Sequence, residues 1–397
     1  MAANTISLIG SALTAIALPW FVLQTTGSAA LTGLAGFFVM LPGFVAGIFG
    51  GTLVDRLGYK HASIIADVVS GVGVALIPFL YQTVGLAFWQ LLALVFLGSL
   101  LGIPGTTARR ALLPELADIA GTRLERVNGS FEAIQHLAYL LGPPLAGILI
   151  VWLGAGNVLW IDAATFAASA IIVALAIPSA LVRVQAAATG RYLSALGEGF
   201  RFLKRDRLLL SIAVTLAITN FFGNTLLAVI LPVYAKAAFG RATDLGVIIA
   251  ASGAGMLVGA TIFGAVGHRL PRRAAWLVAF MVVPVEFWVL TLSPPLWLIV
   301  TVLAISGVIS GPIDPLLVTL RHERIPTQLR GRIFSTFSAI AQVGSPLGIV
   351  LAGVLIDGIG LQPTVLAIAI CAQIVGVAML FVPVFHEMNR PSASISV

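Results

Sequence analysis

The chain has 397 residues, of which 59% are hydrophobic and 9% are charged, and its mean hydropathy is +1.07. A soluble globular protein carries about 25% charged residues, so this composition excludes a soluble globule. The formal net charge is +7 at pH 7, but the basic residues lie in loops between apolar segments, which argues against a nucleic-acid partner. Cys371 is the only cysteine, so the chain forms neither an internal disulfide nor a cysteine metal cluster.

Apolar segments of about 20 or more residues follow one another along the chain, each long enough to cross ~30 Å of hydrocarbon as a helix. None shows the alternating polarity of a membrane β-strand. The first begins almost at Met1, so we expect it to stay in the membrane rather than to be cleaved. In chain order the predicted helices lie near 5–24, 31–54, 62–82, 87–107, 128–153, 156–179, 208–235, 243–266, 274–293, 296–319, 332–356 and 362–384.

The loops between these helices differ sharply in charge. All 22 Lys and Arg residues except Lys236 and Arg241 lie in alternate loops, on one side of the predicted membrane. Because positively charged loops stay in the cytoplasm, this distribution predicts that both termini are cytoplasmic.

The longest polar segment divides the chain into two halves. We predict a six-helix bundle over 1–180, a cytoplasmic linker over 181–207, a second bundle over 208–386 and a cytoplasmic tail over 387–397. Within the linker, the pattern LGEGFRFLKRD at 196–206 predicts a short amphipathic helix whose basic residues face anionic headgroups. The alternative is a tether that only sets the spacing of the halves.

A short charged motif occurs twice. Residues 51–60 read GTLVDRLGYK, and a degraded copy, GAVGHRLPRR, lies at 264–273. A second pair consists of SFEAI at 130–134 and TFSAI at 336–340. Such repeats predict two similar six-helix halves that rock about a central site and expose it to each side of the membrane in turn.

The first copy resembles the loop between helices two and three of the major facilitator superfamily, Gly-x-x-x-Asp-Arg-x-Gly-x-Arg/Lys. Every fixed position of that pattern is filled, by Gly51, Asp55, Arg56, Gly58 and Lys60. The resemblance implies an all-α integral membrane protein with twelve transmembrane helices in two pseudo-symmetric six-helix bundles, the major facilitator fold.

Short phrases at 17–20, 111–115 and 329–333 resemble the bacterial branch of that superfamily that contains macrolide-efflux and enterobactin-export proteins. That branch often has an acid directly after the glycine in helix one, whereas Gly10 is followed here by Ser11. The resemblance implies export across a bacterial inner membrane, and the missing acid argues against a proton site in helix one.

The resemblance also implies that the charged loop is a latch that stabilises the outward-open state. Asp55, at the inner end of helix two, can accept hydrogen bonds from a facing helix N-terminus or pair with an arginine, whereas His268 replaces this acid in the second copy. The alternative is a basic loop that only fixes topology. The predicted latch residues are Gly51, Asp55, Arg56, Gly58, Lys60, Arg269 and Arg273.

Helix five resembles the antiporter signature Gly-x8-Gly-x3-Gly-Pro-x2-Gly-Gly, with alanine in place of two glycines. The motif residues are Gly129, Ala138, Gly142, Pro143 and Gly147. Small residues let helix backbones pack closely, and a proline bends the helix. The resemblance implies an exporter, and the alternative is ordinary small-residue packing.

Acidic side chains within membrane spans are costly unless they are paired, protonated or solvated. In the predicted helices, Asp67 and Glu132 lie near cytoplasmic ends, Asp314 lies near the inner end of helix ten, and Asp162 lies just inside the outer end of helix six. Glu286 falls near the midplane, where burial favours the neutral acid, from which a proton can be exchanged. We predict Glu132, Glu286 and Asp314 as proton-coupling candidates.

Two of these candidates have competing interpretations. Helix nine, which carries Glu286, is usually peripheral in the superfamily, so this residue is alternatively a paired or permanently protonated structural acid. Glu132 and Gln135 form a polar cluster on a helix that borders the cavity. The alternative for Glu132 is an ion pair with Arg109 or Arg110 at the inner rim.

Helix seven carries two asparagines and two phenylalanines near mid-membrane. Amides and aromatic rings among apolar walls suit bulky amphipathic molecules, which need few directed bonds. The alternatives are interhelical hydrogen bonding by the asparagines and an outer-interface position for Trp20. The predicted substrate-cavity residues are Trp20, Phe21, Gln135, Asn220, Phe221 and Asn224.

The sequence contains no nucleotide-binding motif of the form Gly-x4-Gly-Lys-Ser/Thr, so ATP is not expected as the energy source. The five histidines are dispersed and no zinc-type motif occurs. We therefore predict no metal, no cofactor and no enzyme activity, and proton motive force becomes the expected source of energy.

These observations and the resemblance together predict a monomeric secondary exporter of drug-like amphipathic molecules, working by proton antiport and alternating access. Its partners are then the lipid bilayer, a small-molecule substrate and protons. One alternative is a dedicated exporter of an endogenous metabolite such as a siderophore. The alternative from another class is a polytopic membrane enzyme or a non-transporting sensor.

Overall fold

The computed structural model describes residues 1–177, 192–326 and 329–389, without the side chains at 44–56, 136, 139, 192–196, 268 and 331. Within the described residues the chain is helical, and no strand is present. The side-chain positions of Gly51, Asp55, Arg56 and His268 lie outside the described residues, as do parts of the predicted linker and tail.

Eleven helices among the described residues are long and apolar enough to cross a membrane. They are Ala2–Thr26, Tyr59–Thr83, Phe88–Ile119, Leu124–Leu153, Ala155–Ala176, Arg207–Ala238, Ala242–Val266, Arg272–Thr291, Leu296–Arg324, Arg332–Ile359 and Leu361–Leu380. The remaining predicted span is helical over Ala29–Leu57, and its described apolar part is Ala29–Gly43. All twelve predicted segments are therefore helical, which confirms the all-α membrane architecture.

The helices form two compact units: Met1–Gly190 with Gly240–Gly246, and Arg191–Phe239 with Val247–Val397. The helices of the first unit are α1 (Ala2–Thr26), α2 (Ala29–Leu57), α3 (Tyr59–Thr83), α4 (Phe88–Leu100), α5 (Gly102–Ala111), α6 (Leu113–Ile119), α7 (Leu124–Leu153) and α8 (Ala155–Ala176). Both α1 and α3 pack along α8, and α1 also packs on α7. Helix α8 is thus the common partner of α1 and α3.

The second unit contains the remaining helices, apart from the first turn of α12, which groups with the first unit. They are α9 (Tyr192–Arg205), α10 (Arg207–Thr225), α11 (Leu231–Ala238), α12 (Ala242–Val266), α13 (Arg272–Thr291), α14 (Leu296–Ser310), α15 (Ile313–Arg324), α16 (Arg330–Gln342), α17 (Gly344–Ile359) and α18 (Leu361–Leu380). In this unit α10 packs on α16 and α17, and α13 packs on α14 and α18.

Glycines bring α12 and α14 into backbone contact. A Cβ atom at Gly259 would lie 2.7 Å from the carbonyl carbon of Val308, and one at Gly255 would lie 3.0 Å from that of Ala304. From the other side, a Cβ at Gly307 would lie 3.2 Å from the carbonyl carbon of Gly255. Because lipid removes the hydrophobic drive between helices, such close backbone packing stabilises a helix pair inside a membrane.

Four spans that the sequence predicts as continuous helices are interrupted near prolines, at Pro104, Pro232, Pro312 and Pro346. A π-helical segment, Leu226–Ile230, separates α10 from α11 and precedes Pro232. The next interruption lies at Gly311 and Pro312, between α14 and α15. Proline has no N–H for the helical ladder and clashes with the carbonyl four residues earlier, so the backbone adjusts locally.

The short helix α9 packs on α16 within the second unit. A Cβ at Gly199 would lie 2.9 Å from the Thr336 Cβ and 3.0 Å from the backbone oxygen of Arg332, so the helices approach closely there. Glu198 forms an ion pair with Arg332, and Leu203 is fully buried. A helix thus occupies part of the predicted linker and packs within the second unit, and its role between the bundles stays a prediction.

Candidate functional site

A buried charged cluster joins α3, α5 and α8. Arg109 Nη1 donates to Asp67 Oδ1 over 2.8 Å, and Ser169 Oγ donates to Asp67 Oδ2 over 2.7 Å. The Asp67 side chain is 1% exposed. Both oxygens of this carboxyl group have a donor, one of them positively charged, so the cluster fastens three helices with its negative charge compensated.

The first motif copy ends in a buried lysine. Lys60 Nζ donates to the backbone oxygen of Ala174 over 2.9 Å and also to that of Ile177, at the end of α8. A cation is favourable there because the last carbonyls of a helix lack partners and carry the negative end of its dipole. Gly58, with φ 74°, makes the left-handed turn between α2 and α3. Lys60 thus fastens α3 to α8, a contact that the sequence did not predict.

Arg273, in the second motif copy, contacts the end of the described chain. Its backbone N–H donates to Asn389 Oδ1 over 3.1 Å, and its Nη2 donates to the Leu380 oxygen over 3.4 Å. These bonds bind α13 to the segment Pro383–Asn389 that follows α18. The described residues of the two copies therefore make different contacts within their own units, and the latch role stays a prediction.

The antiporter-like motif of helix five lies on α7, where Pro143 is accommodated inside the helix. A Cβ at Gly142 would lie 3.4 Å from the Ala12 Cα and closer still to its Cβ, and one at Gly147 would lie 2.7 Å from the Ala242 oxygen. A Cβ at Gly129 would meet no described atom within 4 Å. Close helix packing thus requires glycine at the later motif positions only, while Ala138, with 5% exposure, is buried.

Glu132 and Gln135 share one arginine. Arg110 Nη2 lies 2.9 Å from Glu132 Oε1 and donates to Gln135 Oε1 over 3.0 Å, and its guanidinium lies over the Phe131 ring. The Arg110 and Glu132 side chains are each about half exposed. The sequence predicted, as the alternative for Glu132, an ion pair with Arg109 or Arg110, and the structure shows the pair with Arg110. The coupling role of Glu132 stays a prediction.

Glu286 has a neutral partner. Ser306 Oγ, on α14, donates to Glu286 Oε1 on α13, and none of the ion pairs among the described residues includes Glu286. Asp314 is exposed at the start of α15. Helix α15 ends at Arg324, whereas the sequence predicted an end at residue 319. Asp314 is therefore farther from the inner end of the span than predicted.

Asp162 also lies deeper than its sequence position predicts. It is 1% exposed on α8, where Thr14 Oγ1 donates to its Oδ2 over 2.5 Å and Thr165 Oγ1 lies 3.2 Å from its Oδ1. Thr14 belongs to the middle turn of α1, so the carboxyl group is level with the centre of that helix rather than with an end. The α8 sequence carries no signal for this depth, which depends on how α8 is offset along α1.

The asparagines of helix seven bind neighbouring helices. Asn220 Nδ2 donates to the Ala341 oxygen on α16, and Asn224 Nδ2 donates to Ser345 Oγ on α17, both over 2.9 Å. Phe221 packs against the glycines of α17, with its Cβ 3.2 Å from a Cβ built at Gly344. These contacts have the form of the alternative interpretation, interhelical hydrogen bonding, and the substrate role of these residues stays a prediction.

The aromatic candidates of helix one are packed within the first unit. Trp20 is 2% exposed and Phe21 is 3% exposed. The Phe21 ring meets Tyr81 of α3 edge to face, with centroids 5.1 Å apart. Their cavity-lining role stays a prediction.

The described residues show no candidate metal centre. No group of three or more His, Cys, Asp or Glu residues within that part of the chain is placed to hold a metal ion. The described ion pairs fasten helices to one another, and the proton-coupling role of the acids stays a prediction.

The family model described as Major Facilitator Superfamily matches residues 1–240 and 213–395. The chain belongs to this superfamily. "Multidrug efflux pump Tap" of Mycolicibacterium fortuitum is 32% identical over 387 residues, covering 96% of this chain and 94% of that protein. "Macrolide efflux protein A" of Streptococcus pyogenes is 24% identical over 396 residues, covering 98% of this chain and 95% of that protein. The solved structure of the nucleoside transporter NupG matches with a TM-score of 0.74 at 13% identity, covering 98% of this chain and 99% of that chain. This likeness shows the fold alone.

Membership of the major facilitator superfamily confirms the family predicted from the charged loop and from helix five. It also confirms the major facilitator fold with twelve helices. In the numbering of spans used for the superfamily, α8 is helix six, α10 and α11 form helix seven, α13 is helix nine, and α14 and α15 form helix ten.

Proposed function

We propose that this superfamily member exports drug-like amphipathic organic molecules as a secondary active transporter. One observation carries the proposal: nearly the whole chain is similar to two proteins named for efflux, one for multidrug and one for macrolide efflux. Membership of a transporter family further supports transport rather than catalysis, so we expect no enzyme activity.

We propose a bacterial inner-membrane location with both termini in the cytoplasm. The support is the distribution of basic residues, since all Lys and Arg except Lys236 and Arg241 fall in alternate loops. Loops rich in Lys and Arg remain on the cytoplasmic side during insertion. The relatives named for efflux are bacterial proteins, which agrees with this location.

We propose protons as the coupling ion. Glu286 lies within a span, and its described partner is the neutral hydroxyl of Ser306. An acid without a cation is costly in a membrane unless it is protonated or solvated. Exchange of its proton as the halves alternate would link the proton gradient to the outward movement of substrate.

An efflux assay tests both parts of the proposal. The chain is expressed in a hypersensitive bacterial host and challenged with a panel that includes erythromycin and ethidium, with and without a protonophore. We expect lower intracellular retention than in cells with empty vector, and we expect the protonophore to abolish this difference. A panel in which every retention equals that of the empty vector would contradict export.

Reconstitution separates export from its energy source. Purified protein in proteoliposomes should move erythromycin or ethidium in response to an imposed pH difference. Transport that is equally fast without the pH difference would support export and reject proton antiport.

A further inference from the structure

The carboxyl group of Asp162 is buried between α8 and α1 without a cation. Its described partners are the hydroxyl groups of Thr14 and Thr165. None of the ion pairs that the described residues form includes Asp162. Helix α1 carries no charged side chain, and α8 carries no other titratable one. A full negative charge at this depth therefore has no opposite charge on either helix.

The described side chains of the other helices packed on α8 do not supply one. On α3, Lys60 is engaged by the end of α8, and Asp67 is engaged by Arg109 and Ser169. Asp67 contacts α8 at Ser169, two turns from Asp162 and so ~10 Å along the helix. The remaining titratable residues of α3 and α7 are Tyr59, His61, Tyr81, Glu125, Arg126, Glu132, His136 and Tyr139.

The side chains of His136 and Tyr139 lie outside the described residues, and the others lie away from Asp162 or have other contacts. Every titratable residue of α7 precedes Gly142, the position that packs on Ala12 of α1. His61 is exposed near the beginning of α3. Tyr81 packs on Phe21 near the other end of α3. Among the described side chains, Asp162 is thus the titratable group that lies where α1 contacts α8.

The hydrogen-bond geometry suits a protonated acid. Thr165 Oγ1 lies 2.7 Å from the backbone oxygen of Asp162 and 3.2 Å from Oδ1, so its single hydrogen favours the backbone oxygen. A hydroxyl oxygen also accepts hydrogen bonds, and a proton on Oδ1 can therefore be donated to Thr165. Thr14 meanwhile donates to Oδ2. When Asp162 is protonated, both of its carboxyl oxygens therefore have a hydrogen-bond partner. When it is ionised, only Thr14 donates to it with good geometry, and one neutral donor does not compensate a full negative charge.

Gly10 makes this arrangement sterically feasible. A Cβ at Gly10 would lie 2.9 Å from the Thr165 Cβ and even closer to Thr165 Oγ1 and Asp162 Oδ1. The glycine at this position thus leaves room for the Asp162 and Thr165 side chains against α1.

We propose that Asp162 binds and releases a transported proton in the first unit, in addition to Glu286 in the second. The proposal rests on the proton antiport proposed above. The thermodynamic reason is that a membrane-buried acid without a cation is favoured when protonated and becomes costly when it loses its proton. A helix movement that separates α1 from α8 would admit water to the carboxyl group and so allow it to release the proton.

Infrared difference spectroscopy tests the proton site without a substrate. Wild-type protein in lipid is compared at acidic and alkaline pH, and the same measurement is made on Asp162→Asn. We expect a protonated-carboxyl band that titrates with pH in the wild type and is missing in the variant. A spectrum that is identical in both proteins would overturn the proposal, because Asp162 would then be permanently neutral or permanently charged.

Transport assays separate this site from the proposed function. Wild-type proteoliposomes must first accumulate erythromycin or ethidium in response to a pH difference, and their failure would reject antiport itself. Asp162→Asn, which keeps the side-chain shape, should lose this accumulation to the level without a gradient while retaining downhill exchange. Gradient-driven accumulation equal to wild type would reject Asp162 and leave antiport standing.

A second variant guards against misfolding of Asp162→Asn. Thr14→Val removes the donor to Oδ2 while keeping the side-chain volume, and it leaves the acid in place. We expect the pH at which the infrared band is half-developed to differ from that of the wild type. An unchanged midpoint in a folded Thr14→Val protein would also count against the proposal.

Discussion

At the scale of single residues, the acids inside the spans differ in the partners they have. Arginines lie 2.8 Å from Asp67 and 2.9 Å from Glu132, whereas hydroxyl groups contact Glu286 and Asp162. An arginine compensates the charge of a carboxylate, but a hydroxyl group serves a neutral acid equally well because it both donates and accepts. Reversible protonation is therefore expected at the acids with hydroxyl partners.

This difference gives a paired prediction for the acids proposed from the sequence. We expect Glu286→Gln to abolish gradient-driven accumulation of substrate in proteoliposomes, because glutamine cannot exchange a proton. We expect Glu132→Gln to retain it, since Glu132 lies half exposed beside Arg110. Should both variants keep wild-type accumulation, neither acid is a coupling residue.

Lys60 gives a prediction about stability. A hydrogen bond from a charged donor contributes about 1.5–3 kcal/mol, and Lys60 donates to two backbone oxygens at the end of α8. Lys60→Met should therefore lower the melting temperature of the detergent-solubilised protein. Lys204→Met is the matched control, because Lys204 is exposed on α9. Equal melting temperatures for the two variants would show that the buried bonds contribute little.

At the scale of elements, helix contacts depend on a few glycines at which a side chain would meet the neighbouring helix. Between α12 and α14 this contact involves Gly255, Gly259 and Gly307, and between α9 and α16 it involves Gly199. Between α12 and α14 the facing atoms are backbone and cannot rotate away, so a substitution there moves a whole helix. At Gly199 the facing atoms are the Thr336 side chain and the Arg332 backbone oxygen. The contact between α9 and α16 is accessible to a direct test because α9 carries a second glycine in a different environment.

Gly199→Ala and Gly197→Ala form the matched pair on α9. Alanine replaces glycine in a helix with a gain of about 1 kcal/mol when nothing obstructs it, and no described atom lies within 4 Å of a Cβ at Gly197. At Gly199 the Cβ meets Thr336 and the backbone of Arg332, so overpacking costs about 1–3 kcal/mol. Thermal unfolding should show stabilisation at 197 and destabilisation at 199. The same sign at both positions would contradict the packing described for α9.

The sequence predicts elements well where the signal is local. Apolar length alone located the twelve spans, and the alternating charge of the loops gave their expected orientation. The interruption before Pro232 follows a local rule, but the π-helical form of Leu226–Ile230 depends on the surrounding helices. The depth of Asp162 and the contact of Lys60 were not predictable, because both depend on the offset of α8 against α1 and α3.

At the scale of the whole molecule, each compact unit contains an acid whose described partner is a hydroxyl group. Asp162 occupies this role in the first unit and Glu286 in the second. They lie on helices six and nine, which are not equivalent under the sequence repeat. The two copies of the charged loop also differ, since Asp55 in one copy corresponds to His268 in the other.

The unequal loops give a prediction about the transport cycle. If the first loop is a latch that stabilises the outward-open state, Asp55→Asn should impair efflux much more than His268→Asn, because only the acid attracts a helix N-terminus or an arginine. Efflux of erythromycin from cells, normalised to the amount of protein in the membrane, measures the difference. Equal effects of the two variants would reduce both loops to determinants of topology.

The glycine contact between α12 and α14 has a mechanical consequence. Ser306, which donates to Glu286 of α13, directly precedes Gly307, which touches the backbone of α12. Adjacent residues of α14 thus link a titratable side chain on one helix to the main chain of another. If Glu286 exchanges a proton as proposed, its hydrogen bond to Ser306 changes at a point where α14 touches the main chain of α12. A protonation change at Glu286 would then reach α12 through the main chain of α14, which joins the proposed coupling residue on α13 to a third helix of the same unit.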